Sequence, residues 1–423
     1  MAAPIEVVLT CDLSGQMWNT CVWDLNSGTV LKSYSGGIST SKSLNFIGRD
    51  YLLSASPSKS VLNLWSLHKR EQQQVKMICP GVVNCLTVSP DGSYCVAAIS
   101  EKIYIWQFST GNLLAVVSRH YQKVTCLSFT DDGSHFVSGG EDNIIIVWSM
   151  ASLLQKSNTY QQCIEPLHIW SQHSLPITDV YCGTGFPHSR VVSTSLDQTC
   201  KLWDMASGEL LQNFVFDVPL HSVVMDSAEY RLFVGGADGN IFQLNLFSNP
   251  CKVDSDNKQE TPDIFKGHSN KVTCLSVSMD GSRLVSGSHD NTARIWDVSS
   301  RQCVRTLKHK GPVSNTVIKV PPRKMFSALN KSGLPIKPFK RHVHVPATGS
   351  KVGNQTSRES VQIRTRHSFT STNYTDSIEP LVELVKKDDK VYSQLPAETN
   401  QELQKVKKLN EELYTFTIKQ LVQ

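Results

Sequence analysis

The sequence has no long apolar run. No stretch approaches the roughly 20 consecutive apolar residues that a transmembrane helix requires, and residues 1–4 provide neither the charged nor the apolar region of a secretory signal peptide. We therefore expect an intracellular protein without membrane contact. The twelve cysteines contain no C-x-x-C pair, which favours reduced thiols and predicts neither a disulfide framework nor a metal site.

Nucleotide-binding and nucleophile motifs are also missing. No G-x-x-x-x-G-K-[ST] or G-x-G-x-x-G sequence occurs where a strand would lead into a helix, so no loop that binds phosphates is predicted. A G-x-S-x-G nucleophile elbow is absent as well. We accordingly predict no cofactor and no enzyme active site.

The chain contains instead a recurring unit of short strands and tight turns. Its clearest copy is GHSNKVTCLSVSMDGSRLVSGSHDNTARIWD at residues 267–297, where three apolar strands are separated by turns. The first strand of the unit recurs around seven equivalent residues, Asn45, Cys85, Cys126, Asp179, Val223, Cys274 and Asn315. The third strand recurs at seven equivalent positions, Trp23, Trp65, Trp106, Trp148, Trp203, Leu244 and Trp296.

The two sets of seven are out of step along the chain. The chain begins with a Trp-bearing segment that lacks a first strand. The seventh copy of the first strand, near residue 315, lacks the Trp that should follow it. The pattern predicts an all-β fold, a seven-bladed WD-repeat propeller over residues 1–320, closed by pairing of the N-terminal segment with the strand near residue 315. Closure of this kind leaves no exposed sheet edge.

Three predicted blades carry His, Ser, Asp and Trp at related spacings, with Ser four residues before Asp and Asp six residues before Trp. The sets are His120, Ser138, Asp142 and Trp148; His173, Ser193, Asp197 and Trp203; and His268, Ser286, Asp290 and Trp296. Hydrolases use Ser, His and Asp together, but a catalytic set should occur once. We therefore interpret the sets as buried hydrogen-bond networks that hold each blade together.

The composition changes after residue 320. Residues 321–375 contain ten Lys and Arg against one acidic residue, with many Pro, Ser, Thr and Gly, which predicts a disordered basic linker. Its cations could contact RNA phosphates or direct the protein to the nucleus, and a solvated linker without such a role is the alternative. The residues of this candidate basic cluster are Lys337, Lys340, Arg341, Arg364 and Arg366.

Residues 376–423 return to helical spacing. The candidate dimer face consists of apolar residues three or four apart, Leu403, Val406, Leu409, Leu413 and Phe416. An isolated helix of this length is marginal, so pairing with a second copy and docking on the propeller are both open. Two insertions, residues 151–166 and 248–263, are predicted to be loops. They could contact partners, and the alternative is a tolerated insertion without such a role.

Several segments resemble the family of WD-repeat subunits of the rixosome. They are MAAPIEV at the start, STGNLL, SRHYQKVTCLSF, SLDQTCKLW ending at Trp203, FKGHSNKVTCLSVS, SGSHD, KGPVSN, and VKKLNEELYTFT at residues 406–417. The resemblance implies a non-enzymatic scaffold that supports assembly of the large ribosomal subunit and internal-spacer processing of pre-ribosomal RNA. It implies a location in the nucleus, nucleolus and nucleoplasm, with some protein in the cytoplasm.

The same resemblance implies particular partners. The propeller would bind a proline-, glutamate- and leucine-rich helical-repeat scaffold protein, in an assembly with a testis-expressed armadillo-like protein, a SUMO protease and other pre-ribosomal factors. The C-terminal helix would form a homodimer, and any RNA contact would be weak or indirect. The alternative is a WD-repeat substrate receptor of a ubiquitin ligase. Such receptors often carry Arg two residues after Trp-Asp, whereas Trp296-Asp297 is followed by Val298-Ser299.

Overall fold

The computed structural model describes residues 6–15, 20–69, 75, 77–156, 165–185, 189–246, 263–322, 325–326 and 337–342. All of them belong to the first of the two units into which the chain divides, residues 1–366. Arg364, Arg366 and the candidate dimer face lie outside the described residues, as do the predicted C-terminal helices and most of the insertion at 248–263.

Within these ranges the chain forms seven four-stranded antiparallel sheets, which we number as blades in chain order. Blade 1 contains, in spatial order, β28 (Val313–Lys319), β1 (Val7–Asp12), β2 (Thr20–Asp24) and β3 (Val30–Tyr34). Blade 2 contains β4 (Asn45–Ile47), β5 (Tyr51–Ala55), β6 (Val61–Ser66) and β7 (Met77–Ile78). Blade 3 contains β8 (Cys85–Val88), β9 (Tyr94–Ile99), β10 (Lys102–Gln107) and β11 (Leu113–Val117).

The remaining four blades repeat the same order. Blade 4 contains β12 (Val124–Phe129), β13 (His135–Gly140), β14 (Ile145–Ser149) and β15 (His168–Trp170), with helix α1 (Met150–Lys156) before β15. Blade 5 contains β16 (Ile177–Cys182), β17 (Arg190–Ser195), β18 (Thr199–Asp204) and β19 (Leu210–Val215). Blade 6 contains β20 (Leu220–Met225), β21 (Arg231–Gly236), β22 (Ile241–Asn245) and β23 (Asp263–Phe265). Blade 7 contains β24 (Val272–Val277), β25 (Arg283–Ser288), β26 (Thr292–Asp297) and β27 (Cys303–Lys308).

Blade 1 is built from both ends of the propeller chain. Strand β28 pairs antiparallel with β1, so that Val8 lies opposite Ile318, and β1 pairs in turn with β2, where Val8 lies opposite Trp23. This confirms the predicted closure of the ring. The predicted number of blades is confirmed as well, and Leu244 pairs with Leu232 in blade 6 as Trp296 pairs with Leu284 in blade 7.

The core lies between blades. In the described residues, each of the seven blade boundaries has its own cluster of buried apolar side chains. The third-strand tryptophans are the largest of these side chains; Trp65, Trp106, Trp148, Trp203 and Trp296 are all fully buried. Because a sheet buries both faces only when it is packed between two neighbours, each blade depends on the next for its stability.

Tight turns between the first and second strands allow neighbouring blades to approach closely. Gly281 in the Asp280-Gly281 turn has a φ of +69°, a conformation that favours glycine. A β-carbon at this position would lie 2.8 Å from the Asp226 carboxylate in blade 6. Glycine is therefore required here both by the backbone conformation and by the neighbouring blade.

Parts of the predicted disordered linker pack on the propeller instead. Met325 is buried against blade 1 and blade 2 side chains, and Phe339 is buried between blades 2 and 3. The linker was predicted to be disordered because its composition cannot form a core of its own. At these two positions the prediction is wrong, because single apolar side chains join the core of the adjacent propeller.

Candidate functional site

The structure brings together each of the three His, Ser, Asp and Trp sets. In blade 7, His268 Nδ1 lies 2.8 Å from Asp290 Oδ2, and His268 Nε2 lies 2.7 Å from Ser286 Oγ. Trp296 Nε1 donates a hydrogen bond to the same hydroxyl oxygen at 2.8 Å. The hydroxyl therefore donates to the imidazole and accepts from the indole, which requires the imidazole proton to lie on Nδ1, toward the carboxylate.

Blades 4 and 5 contain the same geometry. The distances in blade 4 are 3.0 Å for His120 Nδ1 to Asp142 Oδ2, 2.8 Å for His120 Nε2 to Ser138 Oγ and 2.9 Å for Trp148 Nε1 to Ser138 Oγ. In blade 5 all three distances are 2.9 Å, between His173 and Asp197, His173 and Ser193, and Trp203 and Ser193. The three serines are completely buried, so their hydroxyls cannot meet a substrate.

Burial and hydrogen bonding set the charges within the networks. Burial lowers the pKa of His173 and of His268 in spite of the adjacent carboxylates. Burial alone would raise the pKa of Asp142, Asp197 and Asp290, but hydrogen bonds from the imidazoles, neighbouring side chains and backbone amides outweigh it and lower each pKa. Each of these pairs in blades 5 and 7 thus combines a neutral imidazole with a charged carboxylate near neutral pH.

These pKa shifts predict a propeller that loses stability in acid. The unfolded chain binds protons at His173 and His268 more readily than the folded chain does, so the free energy of unfolding should decrease as the pH falls through about 6.5. His221, whose pKa burial and the Lys271 charge lower to about 4, acts in the same direction. The lowered carboxyl pKa values extend the loss below about pH 4. Urea unfolding at pH 8, 7, 6 and 5 measures the effect, and a constant free energy of unfolding would contradict it.

A second set of polar contacts joins neighbouring blades around the central channel. At every blade boundary, a side chain at or next to the recurring first-strand position bonds to the backbone of the next blade. We call these seven contacts the channel ring. They are Asn315 Nδ2 to Thr40 O (2.7 Å), Asn45 Nδ2 to Leu86 O (2.8 Å), Cys85 Sγ to Val124 O (3.9 Å), Thr125 Oγ1 to Ile177 O (2.6 Å), Val223 N to Asp179 Oδ2 (3.0 Å), Ser222 Oγ to Val272 O (3.2 Å) and Thr273 Oγ1 to Val313 O (2.7 Å).

An ion pair crosses the channel. Lys42 Nζ, on the blade 2 side, lies 2.9 Å from Asp179 Oδ1 in blade 5 and also donates to the Thr178 carbonyl oxygen. Burial opposes the charge of Lys42, but the attraction of Asp179 outweighs it, so the pKa of Lys42 is raised. The pair lies in a cavity of about 1100 Å³ whose lining extends to the turns that contain Arg49 and Asp131.

Sequence reasoning missed a related contact in blade 1. Trp23 Nε1 donates to Thr10 Oγ1 at 2.7 Å, and Thr10 occupies the register position that serine holds in the three networks. The buried His309 ring lies 5.9 Å from the Trp23 ring, with its Nδ1 3.9 Å from Asp12. Threonine at the serine position is the signal of this contact in the sequence.

The candidate basic cluster is described in part. Lys337, Lys340 and Arg341 are exposed and lie on residues 337–342, which pack on blade 3. In the described part of the chain, no group of three or more His, Cys, Asp and Glu side chains could hold a metal ion. No helix among the described residues is long and apolar enough to cross a membrane.

Closed four-stranded blades with buried His, Ser, Asp and Trp networks define a WD-repeat propeller, a class that typically provides non-enzymatic scaffolds. The family described as WD domain, G-beta repeat matches residues 111–149, 164–204 and 259–297, and each matched range contains one complete network. WD repeat-containing protein 18 from Danio rerio is 43% identical over 427 residues, covering 99% of this chain and 98% of that protein. The chain belongs to the WD repeat-containing protein 18 family.

Two further relatives extend this finding. WD repeat-containing protein 18 from Homo sapiens is 48% identical over 345 residues, which are 81% of this chain and 79% of that protein. The Caenorhabditis briggsae protein named pre-rRNA-processing protein pro-1 is 27% identical over 322 residues, which are 74% of this chain and 60% of that protein. The WD-repeat family indicated by the sequence segments is therefore confirmed, whereas membership of the rixosome stays a prediction.

Proposed function

We propose that this protein is a non-enzymatic scaffold subunit of the rixosome, which supports large ribosomal subunit assembly and internal-spacer processing of pre-ribosomal RNA. The observation that carries the proposal is the similarity to WD repeat-containing protein 18 along nearly the whole chain. A more distant relative is named as a pre-rRNA-processing protein. The burial of all three Ser and His pairs supports a scaffold rather than a hydrolase. The location that goes with this function is the nucleus, mainly the nucleolus and nucleoplasm.

The partners in this proposal bind the propeller through its surface. The proline-, glutamate- and leucine-rich helical-repeat scaffold protein is the direct partner, and the testis-expressed armadillo-like protein and the SUMO protease join through the assembly. Exposed apolar side chains support such contacts: Tyr121, Val215 and Met279 are each at least 70% exposed. Aromatic and methionine side chains of this kind are enriched in protein interfaces.

Affinity purification of the full chain from nuclear extract tests the proposal. We expect the helical-repeat scaffold protein and pre-ribosomal proteins to copurify, and depletion of the protein to increase pre-ribosomal RNA that retains internal spacers. Ser286→Ala should restore processing, because the serine has a structural role only. Recovery of cullin-linked adaptors instead would support the ubiquitin-ligase alternative, and failure of Ser286→Ala with normal folding would favour an enzyme.

Homodimerisation through the C-terminal helix is part of the same proposal. Its support is the spacing of Leu403, Val406, Leu409, Leu413 and Phe416, which gives one apolar face. Deleting residues 396–423 should halve the mass measured by light scattering. Lys407→Glu, which changes a charge between the apolar positions, should leave the mass unchanged. An unaltered mass after the deletion removes the dimer from the proposal.

A further inference from the structure

The tryptophan of blade 3 lacks the hydrogen-bond partner that three other blades provide. Ala97 occupies the register position that Ser286 holds in blade 7, and alanine has no hydroxyl group. The Trp106 indole is fully buried, and a buried donor without a partner destabilises the fold. Trp106 Nε1 donates instead to the carbonyl oxygen of Lys340 at 3.0 Å, which lies 234 residues further along the chain.

The side chain of Phe339 fills the space beside that indole. Phe339 is only 6% exposed and stacks on Trp106 with ring centroids 5.1 Å apart and an interplanar angle of 11°. It also meets the Phe108 ring edge to face at 6.1 Å. Aromatic pairs in these arrangements stabilise the contact beyond the effect of the area that they bury.

A glycine allows the backbone around Phe339 to approach the blade. Lys340 N donates to the Gly111 carbonyl oxygen at 2.7 Å. Gly111 has a φ of +68°, and a β-carbon there would collide with the Pro338 carbonyl oxygen. The contacts therefore include two hydrogen bonds to the backbone of Lys340, one from the Trp106 indole and one to the Gly111 carbonyl oxygen, and one aromatic side chain. The charged side chains of Lys337, Lys340 and Arg341 remain exposed.

We propose that Trp106, Phe108 and Gly111 form a peptide-binding groove, the blade 3 groove, and that residues 337–342 are its ligand in the same chain. The ligand class is an extended Pro-Phe-Lys segment, recognised by its phenyl ring and its backbone. Because the groove is occupied within the chain, a second segment of the same chemistry can enter only when residues 337–342 leave.

A fluorescein-labelled peptide with the sequence of residues 337–342 tests the proposal on the full chain. The peptide should bind Phe339→Ala at least about tenfold more tightly than wild type, because the groove of the variant is vacant for a larger fraction of the time. Lys340→Ala is the matched control; its side chain is exposed, so it should resemble wild type. A peptide with Ala in place of Phe should not bind. Equal binding to wild type and Phe339→Ala, or no binding to either, overturns the proposal.

Hydrogen exchange on wild type provides a measurement that does not depend on the folding of a variant. The Lys340 amide donates to Gly111 in the docked state, so its exchange should be at least about tenfold slower than that of the same sequence in a free peptide. When excess unlabelled peptide is added, the backbone amides around Gly111 should stay protected from exchange, because the peptide occupies the groove in place of residues 337–342. Exchange of the Lys340 amide at the free-peptide rate would show that the segment is not docked, which also overturns the proposal.

Discussion

Val8→Asp should prevent the propeller from folding cooperatively. Val8 is completely buried and packs at the boundary between blades 1 and 7, in the strand that joins the two ends of the ring. An unpaired carboxylate there has no described cation in its cluster, and burying it costs several kcal/mol. Since total stability is about 5–15 kcal/mol, we expect a loss of at least 4 kcal/mol, roughly the range of the largest single-residue effects. Circular dichroism during urea unfolding measures it.

Val320→Asp is the matched control for this substitution. It introduces the same charge in place of the same side chain, one residue beyond β28, where Val320 is 53% exposed. An exposed substitution of this kind should change the free energy of unfolding by no more than about 0.5 kcal/mol. If both variants unfold alike, or if Val8→Asp retains wild-type stability, closure between β1 and β28 does not hold the ring together.

The fold was predictable because its two repeating signals are local. Alternating apolar residues and tight turns define each strand pair, and the third-strand position remained recognisable in blade 6 even with Leu244 in place of tryptophan. The closure followed from a simple mismatch, an extra first strand near residue 315 and a missing one before Trp23. The structure differs from the prediction mainly where an apolar side chain of one segment packs into the core formed by another segment, as Phe339 does.

The polar sites were predictable only in part. His268, Ser286, Asp290 and Trp296 lie within one blade, between the loop that precedes β24 and the end of β26, so their spacing is visible in the sequence. The channel ring is different, because its acceptors are mostly backbone carbonyls of another blade and these leave no mark on the sequence. Thr125 and Thr273, each next to a recurring cysteine, are the visible signals, but they do not indicate which carbonyl group accepts the hydrogen bond.

The buried indole N–H groups have different hydrogen-bond acceptors in blades with a complete network and in blades without one. The three network blades supply a serine, blade 1 supplies Thr10, blade 2 uses the Ser35 carbonyl oxygen, and blade 3 uses Lys340. Each substitute meets the same requirement, that a buried N–H group must have an acceptor. Blades 1 to 3 therefore lack the complete network without leaving their tryptophans unpaired.

The complete networks should contribute strongly to stability, and His268→Ala tests this contribution. Removing the imidazole leaves the buried Ser286 hydroxyl without its acceptor and the Asp290 carboxylate without its imidazole donor. The free energy of unfolding should fall by about 3 kcal/mol, as expected for a broken buried network. His342→Ala removes an exposed imidazole and should have little effect. Urea unfolding of both variants measures the difference, and an unchanged His268→Ala variant would reject the structural role.

Replacing both His268 and Ser286 tests whether their hydrogen bonds contribute to stability as a coupled network or independently. Ser286 receives the Trp296 indole hydrogen bond and donates to His268, so Ser286→Ala alone should also destabilise the propeller. Once His268 is replaced, the serine hydroxyl has already lost its acceptor, and removing it relieves part of that desolvation penalty. The double variant should therefore lose less stability than the sum of the two single losses, by at least about 0.5 kcal/mol. Additive losses would mean that the two hydrogen bonds act independently and that blade 7 contains no coupled network.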